Sequence, residues 1–222
     1  MKKKYLLLTL LAFSTHYAQE RPAGTIEVSP TVGLMISEYM GYSDYYYSEP
    51  LSSSTAGVGL DYYFNPIWSL RTGLHYQILG QDYYKYSGNY REQLHFVSLP
   101  IQANFHFSSK RNWNVALGPS FNYLVDNRLT FNKEEYKLDG YKDVHVAFKI
   151  GIGHTFRINE NLGIGVEMNH QFGLTKIHQN SFTYDDDWVY SSYLSDDLIS
   201  TFGATFGVSL VYSIPFSKPS QE

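Results

Sequence analysis

Apolar residues recur at every second position through nearly all of the chain beyond its N-terminal stretch, in segments long enough to cross a membrane as tilted strands. A period of two gives each strand one wet face and one greasy face. In lipid, where every backbone N–H and C=O needs a partner inside the protein, such strands are stable only in a closed barrel.

The first eighteen residues stand apart from this pattern. Lys2, Lys3 and Lys4 precede the apolar run from Tyr5 to Phe13, and Ser14 and Thr15 lead to a cleavage position after Ala18. This order is that of a secretory signal, 1–18, followed by a single barrel domain, 19–222. The run is too short for a membrane helix, and nothing later approaches the roughly 18 apolar residues that such a helix needs. With no cysteine in an exported chain, packing and a closed hydrogen-bond ladder must supply the stability that disulfides often give. The formal charge of −4 falls to −7 once the three leader lysines are set aside, which disfavours nucleic acid and anionic surfaces as partners.

Eight alternating segments follow: 25–37, 55–64, 68–80, 94–107, 113–126, 144–158, 162–176 and 200–216. Three connections are tight, Asn65-Pro66-Ile67, Ser108 to Asn112 and Asn159-Glu160-Asn161, and they alternate with four long ones, 38–54, 81–93, 127–143 and 177–199. The expected fold is therefore all-β: an eight-stranded antiparallel up-and-down transmembrane β-barrel with short periplasmic turns and long extracellular loops. Pro30, Pro100 and Pro119 fall inside these segments, and each is expected at a bulge or strand end, because a closed barrel has no edge where a missing N–H is harmless.

Parity assigns the faces. Leu34, Leu60, Leu74, Leu99, Leu117, Ile150, Val166 and Phe206 share one face with their apolar neighbours at i±2, while Arg71, Gln77, Asn104, Asn122, Lys149 and Glu167 share the other. A soluble barrel would turn the greasy face inward. Tyr62, Phe64, Trp68, Phe107, Trp113 and Phe156 gather beside the short turns, as an aromatic girdle at the headgroup level does, and this favours lipid outside. An eight-stranded barrel is filled by side chains, so a polar core is expected and conduction is not. Symmetric tight turns set Asp61 opposite Arg71, Glu167 opposite Gly153 and near Thr155 and Arg157, and Lys149 opposite Gln171; Glu27 lies at the depth of Asp61 and Arg71. With His75, these residues (Glu27, Asp61, Arg71, Lys149, Arg157 and Glu167) form an expected polar network whose role is to fix register, since a lone charge in that interior is expensive.

No catalytic constellation emerges. His154 and His170 have lipid-facing parity and stand about four positions apart, and His75 and His106 face the lumen among amides. The protein is read as non-enzymatic and without a cofactor, with a lipid A-modifying enzyme and a small-solute channel as the alternatives.

Function then falls to the loops, which carry 14 of the 21 tyrosines. Tyr offers a wide contact area with little entropy to lose, so Tyr45, Tyr46, Tyr47, Tyr184, Trp188, Tyr190 and Tyr193 are candidates for contact with a surface protein or glycan. For Tyr39, Tyr83 and Tyr84, near strand ends, an outer aromatic girdle is the better reading. Asp185, Asp186 and Asp187 form a weak candidate for a divalent cation; their spacing does not match an EF-hand loop, and no metal is expected.

Several segments carry a family resemblance. Phe96-Val97-Ser98-Leu99-Pro100-Ile101 resembles the Leu-Glu-Ile-Pro-like strand of the PorT-like outer-membrane β-barrel family of Bacteroidota, and Ala116-Leu117-Gly118-Pro119-Ser120 resembles that family's next strand. Leu162-Gly163-Ile164-Gly165-Val166-Glu167 and Phe172-Gly173-Leu174-Thr175 extend the likeness. It implies residence in the outer membrane and adds an accessory component of a protein secretion system as a further alternative; the chain itself is read as a monomer in contact with outer-membrane lipid.

Overall fold

The computed structural model describes residues 21–40, 47–85, 88–137, 140–177 and 200–215. The strands are β1 (Ile26–Met40), β2 (Tyr47–Tyr63), β3 (Trp68–Lys85), β4 (Gly88–Pro100), β5 (Gln102–Phe107), β6 (Trp113–Phe131), β7 (Glu134–Tyr136), β8 (Val144–Arg157), β9 (Leu162–Gly173) and β10 (Ser200–Ile214). Every pairing is antiparallel. β4 and β5 are two halves of one crossing, broken at Ile101, and β7 only folds back on β6. The remaining crossings make a ring of eight, closed by β1 against β10 from Ile26↔Ile214 to Met40↔Ser200.

Two of the three tight turns are built alike. Asn65 Oδ1 accepts from the N–H of Ile67 (2.8 Å) and Trp68 (3.0 Å), and Asn159 Oδ1 accepts from Asn161 (2.9 Å) and Leu162 (2.8 Å). An Asn side chain that stands in for a backbone acceptor closes the turn at a fixed length, and that length sets the register above it. Asp61 consequently faces Arg71, and Gly153 faces Glu167.

The greasy face points out. Leu34 is 71 % exposed, Val32 65 % and Leu74 60 %, whereas Asn104 and Asn122 are fully buried inside. A soluble barrel would show the reverse, so these strands are solvated by hydrocarbon. Near the tight turns the outer surface carries packed rings: Trp68 against Phe105 (centroids 4.9 Å), Trp113 against His154 (4.7 Å) and His154 against Phe156 (4.4 Å).

At the opposite end the strands run further than the alternation predicts. The segment 81–93 is no loop: β3 and β4 continue as a hairpin to the pair Lys85↔Gly88. β6 likewise runs to Phe131, and β2 starts at Tyr47. Period-two reading stops short here because the solvent changes. Below Ile78 the outside is lipid, and apolar residues point out; above it the outside is water, and Leu79, Leu94 and Met35 point in, as does Phe96 just below, opposite Gln77, all at most 1 % exposed. The adjacent apolar pairs Ile78-Leu79 on β3 and Phe96-Val97 on β4 mark this inversion. β2–β3 shifts register between Pro50 and Thr55, and β4–β6 between His95 and Phe96, so both bulges lie toward this end.

The prolines divide. Pro100 ends β4, as a strand-end proline should. Pro30 and Pro119 instead lie inside β1 and β6 with no register shift. The ladder copes by losing one neighbour locally: β1 skips its pairing with β10 at Ser29 and Pro30 while keeping Pro30↔Val58. Pro119 faces the β4/β5 break, where its carbonyl still accepts from Ile101 N–H (2.9 Å). Gly73 and Gly118 flank the same break with φ of +149° and +158°, and a Cβ at Gly118 would run into the Ile101 carbonyl.

Candidate functional site

The lumen is filled in tiers, read upward along the inward residues of β3: Ser69, Arg71, His75, Gln77, Leu79, Gln81 and Tyr83. Nearest the tight turns, Glu27 accepts from Arg21 Nε (2.8 Å), Tyr63 Oη (2.8 Å), Ser213 Oγ (2.8 Å) and Arg157. Arg21, just ahead of β1, also donates to the Arg111 carbonyl (2.9 Å) and lies over the Tyr63 ring at 5.1 Å. One tier up, Asp61 accepts from Arg71 Nε (3.1 Å), Asn104 Nδ2 (2.8 Å) and Ser69 Oγ (3.0 Å), and Arg71 reaches across the lumen to Glu167.

Glu27 therefore does not join Arg71, although it stands beside Asp61 in register. Arg157 likewise turns away from Glu167 to meet Glu27. The reason is geometric: Glu167 and Arg157 sit on neighbouring strands several residues apart in height, whereas β1 brings Glu27 to the level of Arg157 across the barrel end. Sequence reading missed Arg21 because it precedes the alternating pattern. Its signal was the inward carboxylate Glu27 at the start of β1, which needed a cation nearby.

Above the charge clusters, Gln77 donates to Asn122 (3.2 Å) and Gln171 (3.3 Å). His75 and Lys149 line a small polar cavity of about 50 Å³, with room for a few waters. His145 lies higher, between Thr175 (3.0 Å) and Thr201 (2.8 Å).

The lumen then turns apolar, which corrects the expectation of a polar core throughout. Met35, Leu79, Leu94, Phe96 and Leu129 form a buried cluster with Tyr39, Tyr83, Tyr90 and Tyr141. Tyr39 and Tyr83 are not girdle residues; both point inward, at 6 % and 2 % exposed. Their hydroxyls donate to Glu92, at 2.8 and 3.3 Å, and Tyr141 donates to the same carboxylate. Glu92 is 3 % exposed, and among the described residues no cation pairs with it. It lies opposite Gln81, above Ile78, the last outward apolar residue of β3, and burial pushes its carboxyl up from the ordinary range against the three tyrosine hydroxyls.

One arrangement invites comparison with a hydrolase. Ser69 Oγ lies 3.0 Å from Asp61 and 3.0 Å from His106 Nε2. The order is wrong for activating a nucleophile: the serine bridges acid and imidazole, its proton directed at Asp61, where a triad would place the histidine between the two. Ser69 and His106 are 2 % and 4 % exposed. His154 and His170 stand on β8 and β9 among outward rings.

Outside, the β3–β4 hairpin and the end of β6 raise a short sheet above the apolar belt, with Asp82 paired to Arg91 and Tyr84 hydrogen-bonded to Glu49 at 3.2 Å. Of the loop candidates, Tyr45, Tyr46, Tyr184, Trp188, Tyr190, Tyr193, Asp185, Asp186 and Asp187 lie outside the described residues, as does the side chain of Tyr47. Among the described residues no group of His, Asp and Glu is placed to hold a metal ion.

The architecture has known counterparts. The outer membrane protein OprG from Pseudomonas aeruginosa matches over 88 % of this chain and 98 % of its own, at 9 % identity and a TM-score of 0.52. The attachment invasion locus protein Ail of Yersinia pestis matches 86 % of this chain and 99 % of its own, at 11 % identity and a TM-score of 0.44. No curated protein sequence matches the chain. The family described as "Outer membrane protein beta-barrel domain" matches residues 17–179, most of the chain. This protein belongs to that outer-membrane β-barrel family and resides in the outer membrane.

Proposed function

We propose that the barrel is a non-conducting, non-enzymatic anchor that carries a tyrosine-rich face outside the cell and holds it ready for a saccharide or protein partner. The observation behind this reading is that the lumen is blocked twice, by the paired charges around Glu27 and Arg71 and by the apolar cluster around Leu79 and Leu94. An ion would have to break the first barrier and dewet the second. The polar network of Glu27, Asp61, Arg71, His75, Lys149, Arg157 and Glu167 is read as structural, fixing register and filling space. The Ser69–Asp61–His106 arrangement, with the serine between acid and imidazole, is read as structural, in keeping with a non-enzymatic role. The chain is read as a monomer, because the eight crossings close on themselves. The PorT-like resemblance adds a secretion-system component to the partners to be sought.

Planar-bilayer recording tests the barrier. The wild-type protein should be electrically silent, and so should Arg71→Met, even though that substitution strands Asp61 and Glu167 and should cost roughly 3–5 kcal/mol of stability. Stable unit currents from either protein would overturn the anchor reading. Co-purification from native outer membranes then separates the partner classes: a stoichiometric secretion component or an isolated barrel.

A further inference from the structure

The sheet that rises above the membrane has an outward face with its own chemistry. The pairs Asp82↔Arg91, Tyr84↔Asn89 and Arg91↔Thr130 put these five residues on one side, while Tyr83 and Tyr90 point into the barrel. Asn132 and Lys133, in left-handed backbone at φ +49° and +74°, turn over the top of the same face. Together with Gly88, Tyr83 and Tyr90 they border a recess of about 460 Å³, the size of a small-ligand site.

Its walls are rigid where recognition needs rigidity. Arg91 grips the Asp82 carboxylate with two hydrogen bonds, 2.8 Å from Nε and 2.9 Å from Nη2, so the acceptor is held in one orientation. The Tyr84 ring is 40 % exposed, and its hydroxyl is tied to Glu49, which leaves the ring face open and its direction set. Asn89 and Asn132 add planar amides that both donate and accept, Thr130 adds a hydroxyl, and Lys133 adds a cation. A fixed flat ring, a fixed carboxylate and several amides match a molecule with one C–H face and a rim of hydroxyls. Such a molecule is a pyranose sugar. Asp82 and Arg91 cancel in charge, and Lys133 offsets the Glu49 carboxylate that holds Tyr84, which suits a neutral sugar.

Height selects the source. Ile78 is the last outward apolar residue of β3, and Asp82 and Tyr84 follow it by about 13 and 20 Å along the strand. The recess thus lies on the parts of β3 and β4 that stand above the hydrocarbon. We propose that this recess binds a saccharide unit of an outer-leaflet glycolipid. The inference rests on the anchor reading and deepens it by naming a site and a ligand class.

The test is calorimetric titration of the refolded full mature protein in detergent micelles with two probes. One is the deacylated core oligosaccharide of the host's own outer-membrane glycolipid; the other is a pair of free neutral sugars, maltotriose and cellotriose. Binding of the first, weakened at least tenfold by Tyr84→Ala and by Asp82→Asn but unchanged by Tyr136→Ala, is the expected result. Retention of the folded band on an unheated gel confirms that each variant is intact. Binding of the free sugars alone, with the same sensitivity, overturns the glycolipid source. Absence of binding to both probes, or affinities unmoved by Tyr84→Ala and Asp82→Asn, overturns the site. If the site is overturned in this way, binding of whole cells to a partner that is lost on deletion of 178–199 leaves the anchor reading standing while the recess falls.

Discussion

Glu92 carries a charge decision that the lumen residues do not face. Each carboxylate of the charge clusters meets an arginine, whereas Glu92 meets only hydroxyls among the described residues. Its raised pKa means that the folded protein holds the proton more tightly than the unfolded chain. Its contribution to stability is therefore present in full below the ordinary glutamate value near 4.5 and is lost as pH rises through the folded-state value. Glu92→Gln keeps the shape and removes the titration. The variant should melt with the wild type at pH 4 and above it at pH 8, followed by near-ultraviolet dichroism of the tyrosines; a constant gap across that range would show that titration of Glu92 is not responsible.

The strands tell two stories, one per solvent. Within lipid the alternation is legible, because hydrocarbon on one side and a filled polar lumen on the other leave each position only one kind of occupant. The tight turns were legible too, since Asn65 and Asn159 fix both length and register, and Asp61 beside Arg71 follows from counting. The upper extensions were not. Past Ile78 the apolar residues change sides, so a single two-residue period breaks its phase and reads as a loop. Arg21 and Glu92 escaped for related reasons: one precedes the period, and the other lies beyond its inversion. The break between β4 and β5 depends on glycine as much as proline. Gly118→Val places a side chain against the Ile101 carbonyl in a backbone region that L residues avoid, and should block assembly of the barrel. Loss of the folded band after refolding checks this; a normal yield would show that the strand can shift to make room.

For the whole molecule, closure matters more than any single contact. Eight crossings joined edge to edge leave no free strand within the membrane, so the ladder opens only cooperatively. A sample kept cold in detergent should migrate as a compact band and shift on boiling, and a single unshifted band in both lanes would argue against a closed ring. The inversion at Ile78 divides this one ring into a portion that needs lipid and a crown that needs water. A segment with a greasy exterior can settle only once it is inside a bilayer, and the crown's interior can pack only after its strands have come through. The crown's packing accordingly depends on the belt beneath it, and a substitution inside the crown leaves untouched what the bilayer demands.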